Sequence, residues 1–193
     1  MMNQRLICSF CALLLLLAGF SVSISVAEET PKATLKKGDV VRPFYVTKIA
    51  GADEDGVEQG QELCYRCRFG SRPMVMVFAR ETGGQVPKLI EELDKAVDSN
   101  QDSQLRGLVT LMGNDAADVK VEANKVAEKT GAKHVPVVVA KETQTGPENY
   151  NLNRKDDVTV VVASESQVVA THVFKADKID ITMVMKEVKS ILN

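Results

Sequence analysis

The segment Pro73-Met74-Val75-Met76-Val77-Phe78-Ala79 consists almost entirely of apolar residues. A run of this kind is typical of a β-strand that is buried on both faces of a sheet. Residues 80–85 follow it and contain two adjacent glycines. Apolar residues then recur at helical spacing: Val86, Leu89, Ile90, Leu93 and Val97. Residues 73–97 therefore predict a buried strand, a tight turn and an amphipathic helix, with Pro87 tolerated in the first helical turn.

The strand pattern recurs on both sides of this unit. Apolar and β-branched runs predict five further strands, at residues 44–49, 105–112, 135–140, 158–163 and 168–174. The last two runs are joined by Ser164-Glu165-Ser166-Gln167, a connection short enough to predict a β-hairpin.

Two more helices are predicted from apolar periodicity. One lies within residues 119–130, with Asn114 or Asp115 as its cap and Gly131 as its stop. The other buries apolar residues between positions 181 and 191 near the C-terminus. The element order is therefore β, β, α, β, α, β, β, β, α. Strands separated by one helix should be parallel, through right-handed crossovers. This order predicts an α/β fold with a central mixed sheet flanked by helices, a C-terminal hairpin and a closing helix.

The N-terminus has the pattern of a secretory signal peptide over residues 1–27. Arg5 precedes an apolar run at residues 6–20, and Ser25-Val26-Ala27 places small residues before a cleavage site at Glu28. A transmembrane anchor is the alternative, but the run is shorter than the ~20 residues that span a bilayer. We therefore expect an exported protein, periplasmic or secreted. A flexible lead-in at residues 28–37 and one domain at residues 38–193 would follow the signal peptide.

Composition and charge exclude several classes of function. Cleavage would remove Arg5 from the 24 basic side chains, leaving 23 against 26 carboxylates and no basic stripe. Nucleic acid is therefore not expected as a partner. No second apolar run is long enough to predict a membrane span after cleavage. The chain also lacks a phosphate-binding loop motif, and we expect no cofactor.

Metal binding is not expected either. A structural zinc site needs four ligands, and the exported part offers only His134 and His172 besides one cysteine pair. The acidic run Asp53-Glu54-Asp55-Gly56 lacks the ligand spacing of a calcium loop and is interpreted as a solvated turn.

Cleavage would leave two of the four cysteines, Cys64 and Cys67. Because an exported protein meets an oxidising compartment, and two intervening residues let the sulfurs meet within a turn, a local disulfide is expected. Three nearby cations, Arg66, Arg68 and Arg72, could stabilise a thiolate. The pair is interpreted either as a redox dithiol or as a structural staple of a loop or short helical turn.

Three further segments carry a resemblance to a known family. Residues 107–115 (GLVTLMGND), 122–139 (EANKVAEKTGAKHVPVVV) and 158–174 (VTVVVASESQVVATHVF) resemble parts of exported bacterial thioredoxin-like and peroxiredoxin-like (redoxin) proteins. They correspond to the second βα unit, the helix with its following strand, and the terminal hairpin. The resemblance covers residues 38–193 and implies a thioredoxin-like fold. It also implies disulfide exchange with a protein thiol partner, in which Cys64 attacks and Cys67 resolves.

The sequence departs from the family where its redox cysteines belong. In thioredoxins these cysteines follow the buried strand and open a helix, which places them here near Thr82 and Gln85. Neither residue is a cysteine, so peroxidase activity, which needs a cysteine near Thr82, is disfavoured. One hypothesis is that the Cys64–Cys67 loop folds back so that a sulfur reaches this helix-start turn, formed by Thr82, Gly83 and Gly84. The sequence thus leaves two functions open: a thiol–disulfide oxidoreductase with a displaced Cys64–Cys67 pair, or a non-catalytic binding or scaffold protein with a structural disulfide.

Overall fold

The apolar segment that begins at Pro73 forms an interior strand of a seven-stranded sheet in the computed structural model, which describes residues 34–192. The strands are β1 (Val46–Ala50), β2 (Glu62–Leu63), β3 (Met74–Ala79), β4 (Arg106–Leu111), β5 (Val137–Ala140), β6 (Val158–Ser164) and β7 (Gln167–Phe174). The helices are α1 (Tyr65–Phe69), α2 (Val86–Ser99), α3 (Ala116–Thr130) and α4 (Ile181–Ser190), with a 3-10 helix at Glu148–Tyr150.

The strands are arranged in the order β2-β1-β5-β4-β3-β6-β7. The pairs β3–β4 and β4–β5, each connected through a helix, are parallel, as predicted. The hairpin strands β6 and β7 are antiparallel, and Glu165 and Ser166 make their turn with positive φ angles of 53° and 65°. Strand β1 pairs antiparallel with β5, and β6 pairs antiparallel with β3. The predicted mixed sheet flanked by helices is confirmed.

Local sequence explains where the long helices begin and end. The side chain of Asp115 caps α3 by accepting hydrogen bonds from the N–H groups of Ala117 and Asp118. Gly131 ends the same helix in the left-handed conformation, at φ 59°. Helix α4 begins after Asp180, whose carboxylate accepts from the N–H of Met183 at 2.9 Å.

Alternating side chains of β3 enter two separate apolar cores. Val75 and Val77 face the core that the sheet makes with α2, α3 and α4. Met74, Met76 and Phe78 face a second core. This core is covered by α1, by the 3-10 helix and by residues 35–44, which precede β1. The first face therefore carries all three long helices, while the short helix with the cysteine pair covers the second. Both faces of β3 are fully buried, as its apolar sequence predicts.

The second strand and the first helix go beyond the sequence prediction. The many Gly, Asp and Glu residues at positions 50–62 predict one loop, but Glu62 and Leu63 pair with Thr47 and Val46 at the sheet edge. The helical turn considered for the cysteine region is α1, five residues long. A two-residue strand carries no periodicity, so the sequence offers no signal for it.

The predicted signal peptide at residues 1–27 and the first part of the lead-in lie outside the described residues. Leu35, which falls in the predicted lead-in, is buried in the second core. Among residues 34–192, no helix combines the length and the apolar character needed to cross a membrane.

Candidate redox site

The two cysteines form a disulfide within the first turn of α1. Cys64 is the N-cap residue of this helix and Cys67 lies in its first turn, which brings their Cα atoms to 5.2 Å. This separation is within the range that a disulfide requires. The predicted local disulfide is therefore present in the structure.

The two sulfur-bearing residues differ in their access to solvent. Cys64 is 8% exposed, whereas Cys67 is exposed to solvent. The backbone N–H of Cys67 donates a hydrogen bond to Sγ of Cys64 at 3.1 Å. The structure therefore supplies a hydrogen-bond donor to the buried sulfur and offers the other residue to a partner.

A buried polar cluster holds α1 against the sheet edge. Lys48 of β1 is only 2% exposed, and its Nζ donates to Asp55 Oδ1 and to the carbonyl oxygens of Ala52 and Val57, all within 2.9 Å. The other carboxylate oxygen of Asp55 accepts a hydrogen bond from the hydroxyl of Tyr65, the first residue of α1. Burial and this hydrogen bond raise the pKa of Tyr65 well above its ordinary value, so the hydroxyl stays protonated as a donor.

Sequence reasoning missed this cluster. The acidic run that contains Asp55 predicts a solvated turn, yet Asp55 forms hydrogen bonds with a buried lysine and a buried tyrosine. Nothing in the one-dimensional pattern marks Lys48, which stands in a β-rich run seven residues before Asp55. The burial of a lysine among three acceptors depends on tertiary packing.

The three arginines near the cysteines bond mainly to backbone oxygens. Arg66 donates to the carbonyls of Val41 and Gly70, at 2.8 and 3.0 Å. Arg68 donates to the carbonyl of Asp55 at 2.7 Å. Arg72 donates to Gln104 Oε1 at 2.7 Å and to two carbonyls at the end of α1. These contacts fix the helix and its flanking loops. The predicted role in stabilising a thiolate stays a prediction.

The helix-start turn lies away from the cysteine pair. Cys64 follows β2 directly, and β1, β5 and β4 separate β2 from β3. At about 4.8 Å per strand, these four spacings amount to about 19 Å. This lateral separation of β2 from β3 argues against the predicted contact between the cysteine loop and the turn.

The turn itself is tightly packed. Gly84 has a φ of +56°, and a Cβ on it would lie 2.4 Å from the carbonyl oxygen of Ala176. The N–H of Gln85 donates to that same oxygen at 2.7 Å. Thr82 donates to Glu122 Oε2 at 3.1 Å. Hydrogen bonds from Lys125 and from Thr82 lower the pKa of Glu122. Close packing therefore accounts for glycine at position 84, and the hydrogen bond to Glu122 accounts for threonine at position 82.

The structure is similar to solved thioredoxin-fold redoxins. A protein assigned as thiol:disulfide interchange protein DsbE from Chlorobium tepidum matches with a TM-score of 0.60 at 14% identity, over 83% of this chain and 100% of that chain. AhpC from Mycobacterium bovis matches with a TM-score of 0.62 at 12% identity, over 82% and 93%. The thioredoxin domain of a thiol-disulfide oxidoreductase from Bacteroides vulgatus matches with a TM-score of 0.56 at 15% identity, over 80% and 99%.

These likenesses establish the fold. The chain has a thioredoxin-like fold of the kind found in redoxins, which confirms the fold that the sequence resemblance implies. No protein-family model and no curated protein sequence matches the chain. At identities of 12–15%, activity must be argued from the site.

Proposed function

We propose that this protein is an exported thiol–disulfide exchange protein whose Cys64–Cys67 disulfide reacts through Cys67. The observation that supports it is the asymmetry of the pair. Cys67 is exposed, while Cys64 is 8% exposed and its sulfur accepts a backbone hydrogen bond. Thiol–disulfide exchange needs one accessible sulfur to attack and one stabilised sulfur to leave.

The exchange begins when a thiolate of a reduced partner protein attacks Sγ of Cys67. A mixed disulfide forms between the partner and Cys67, the bond between the two cysteines breaks, and its electron pair leaves on Sγ of Cys64. The second thiol of the partner then attacks the partner's own sulfur in the mixed disulfide and releases Cys67. The partner dithiol loses two electrons and two protons, and the protein ends with two thiols.

The hydrogen bond to Sγ of Cys64 favours this direction of attack. A thiolate on Cys64 would accept a hydrogen bond from the backbone N–H of Cys67, whose nitrogen lies 3.1 Å from Sγ of Cys64 in the disulfide form. Hydrogen bonds to a charged form stabilise it, and a stabilised thiolate leaves faster. The order of action is therefore the reverse of the one that the family resemblance implies. Cys67 is the residue that the partner meets, and Cys64 is the resolving residue.

Export is part of the same proposal. The signal-peptide pattern over residues 1–27 supports delivery to an oxidising compartment, periplasmic or extracellular. The partner is a protein thiol or disulfide in that compartment.

A non-catalytic scaffold is the second candidate, and a specific observation favours it. Thr82 and Gln85 occupy the positions at which the usual dithiol of this fold would begin a helix. The disulfide lies instead at the start of α1. Arg66 and Arg72 hold this helix in place through hydrogen bonds to the carbonyls of Val41 and Phe69. In this alternative the disulfide only holds the cover of the second core.

Single-cysteine variants separate the two functions. Reduced Cys64→Ser retains the exposed Cys67, and we expect it to form a mixed disulfide with glutathione disulfide faster than Cys67→Ser, as measured by intact mass over time. The parent protein should accelerate the reduction of insulin by dithiothreitol, and both variants should lose this activity. A parent protein without activity, together with equally slow variants, would favour the scaffold.

A further inference from the structure

A cationic cleft lies at the amino ends of the three parallel strands. Arg72 precedes β3, Arg106 begins β4, and His134 precedes β5. These residues line a cavity of about 540 Å³ between the amino ends of the strands and α1. Arg68 and Phe69 of α1 form another part of the cavity wall. A second cavity of about 430 Å³ shares Arg72, Arg106 and His134 with it and adds Lys133.

The register of the sheet brings the two central arginines together. Arg106 pairs with Met74 of the adjacent strand, and its backbone N–H donates a hydrogen bond to the carbonyl of Pro73 at 2.9 Å. Arg72 is the residue directly before Pro73, so it lies beside Arg106. Burial and the charge of Arg72 lower the pKa of Arg106. Among the described residues 34–192, no carboxylate forms an ion pair with either guanidinium.

Arg72 is held in place before any ligand binds. Its Nε donates to Gln104 Oε1 at 2.7 Å, and its Nη1 donates to the carbonyls of Arg68 and Phe69 at 3.0 and 3.1 Å. No hydrogen bond occupies Nη2 within the described part of the chain. A guanidinium that is already fixed loses little conformational entropy when it binds an anion.

The carboxylates in the cleft do not cancel its cations. Asp55 lines both cavities, but Lys48 Nζ lies 2.8 Å from its Oδ1 and neutralises it. The other lining carboxylate, that of Glu54, is exposed. Asp98, whose Oδ1 lies 3.4 Å from Nε2 of the lining residue His134, does not itself line either cavity. Four cations face these two acids: Arg68, Arg72, Arg106 and Lys133. The cleft therefore has a positive balance around the Arg72–Arg106 pair.

We propose that this cleft binds a phosphate group, held between Arg72 and Arg106. Planar guanidinium groups match the oxygens of phosphate, and an anion between two arginines removes their mutual repulsion. The cavity exceeds the size of the anion alone. Its adjoining wall carries hydroxyl-binding groups from Glu54 and Gln101, which suit the organic part of a polyol phosphate. The proposal is independent of the redox function, since Cys67 does not line the cleft.

Isothermal titration calorimetry with three probes tests this site at constant ionic strength: inorganic phosphate, glucose 6-phosphate and glucose. We expect saturable binding of at least one phosphate probe and none of glucose. Tighter binding of glucose 6-phosphate than of phosphate assigns the site to an organic phosphate, whereas equal or weaker binding assigns it to the free anion. Absence of saturable binding of both phosphate probes would overturn the proposal.

Variants connect the binding to the two arginines. Arg106→Gln should weaken binding of the tighter probe at least about tenfold, the scale of one charge-assisted hydrogen bond. Arg106 has no side-chain hydrogen bond among the described residues, so this variant should fold, as circular dichroism would verify. The matched control, Arg154→Gln, removes an exposed cation outside the cleft and should leave the affinity within twofold. Equal affinity of Arg106→Gln and the parent would overturn the proposal.

Discussion

The backbone N–H of Cys67 donates to Sγ of Cys64 across 3.1 Å, within the disulfide that joins the same two residues. This contact is possible because Cys64 occupies the N-cap of α1 and Cys67 follows three residues later. The buried member of the pair therefore receives the hydrogen bond, while the other member is exposed to solvent.

The difference in exposure predicts a difference in alkylation of the reduced protein. Cys67 should react several-fold faster than Cys64 with a bulky maleimide, because Cys64 is 8% exposed. The preference should decrease with the small reagent iodoacetamide, since access then matters less than thiolate content. Peptide mass spectrometry after partial modification measures both ratios. Preferential labelling of Cys64 by the bulky reagent would contradict the proposed order of action.

Removal of the Asp55 carboxylate should strongly destabilise the protein. Lys48 is only 2% exposed, and Asp55→Ala would leave its buried positive charge without a partner. Breaking a buried ion pair in this way lowers the free energy of unfolding by about 3–5 kcal/mol. Urea denaturation measures the free energy of unfolding. The matched control is Asp53→Ala in the same loop, where the carboxylate is exposed and the change should stay within about 0.5 kcal/mol. Similar losses in the two variants would show that the cluster has no special role.

The helix-start turn should reject a side chain at Gly84 and accept one at Gly83. Gly84→Ala forces an alanine to φ +56° and places its Cβ 2.4 Å from a backbone oxygen. We expect a loss of about 2–3 kcal/mol, near the upper end for single substitutions. At Gly83 a Cβ meets nothing within 4 Å, so Gly83→Ala should be close to neutral. Equal stabilities of the two variants in thermal unfolding would argue against the packing described here.

Asp157 should contribute to stability in a pH-dependent way. A hydrogen bond from Lys175 and one from the N–H of Ala176 lower the pKa of Asp157 in the folded state. The stabilisation is therefore fully present above the pKa that Asp157 has in the unfolded chain. It is lost as the pH falls through the lower pKa that Asp157 has in the folded protein. The parent should be more stable than Asp157→Asn at pH 7, and the difference should shrink towards acid pH. Asp102→Asn, at an exposed position, is the control, and a pH-independent difference would refute the linkage.

The sequence predicts most of the fold because its elements carry strong periodic signals. The run that begins at Pro73 is apolar on both faces, and α2 places Leu89, Leu93 and Val97 on one side, as their spacing predicts. Those patterns report burial, which is the property that the sheet and its helices require. The two-residue strand β2 escapes prediction because it has too few residues to show a period.

The site was less predictable than the fold. The spacing of Cys64 and Cys67 predicts a disulfide, because that bond is local. Which cysteine is exposed depends on how Tyr65 and Phe69 anchor α1 in the second core, a long-range relationship. The Lys48–Asp55–Tyr65 cluster and the Arg72–Arg106 pair likewise arise from chain segments that only the folded sheet brings together.

The reduction potential of the Cys64–Cys67 pair tests the central claim most directly. The purified protein is equilibrated with glutathione redox buffers, and the reduced fraction is measured after alkylation. A pair that exchanges with partners should have a potential above roughly −300 mV, as labile disulfides do. A potential below that value, with no detectable mixed disulfide with glutathione, would contradict the exchange function and leave the disulfide a structural role.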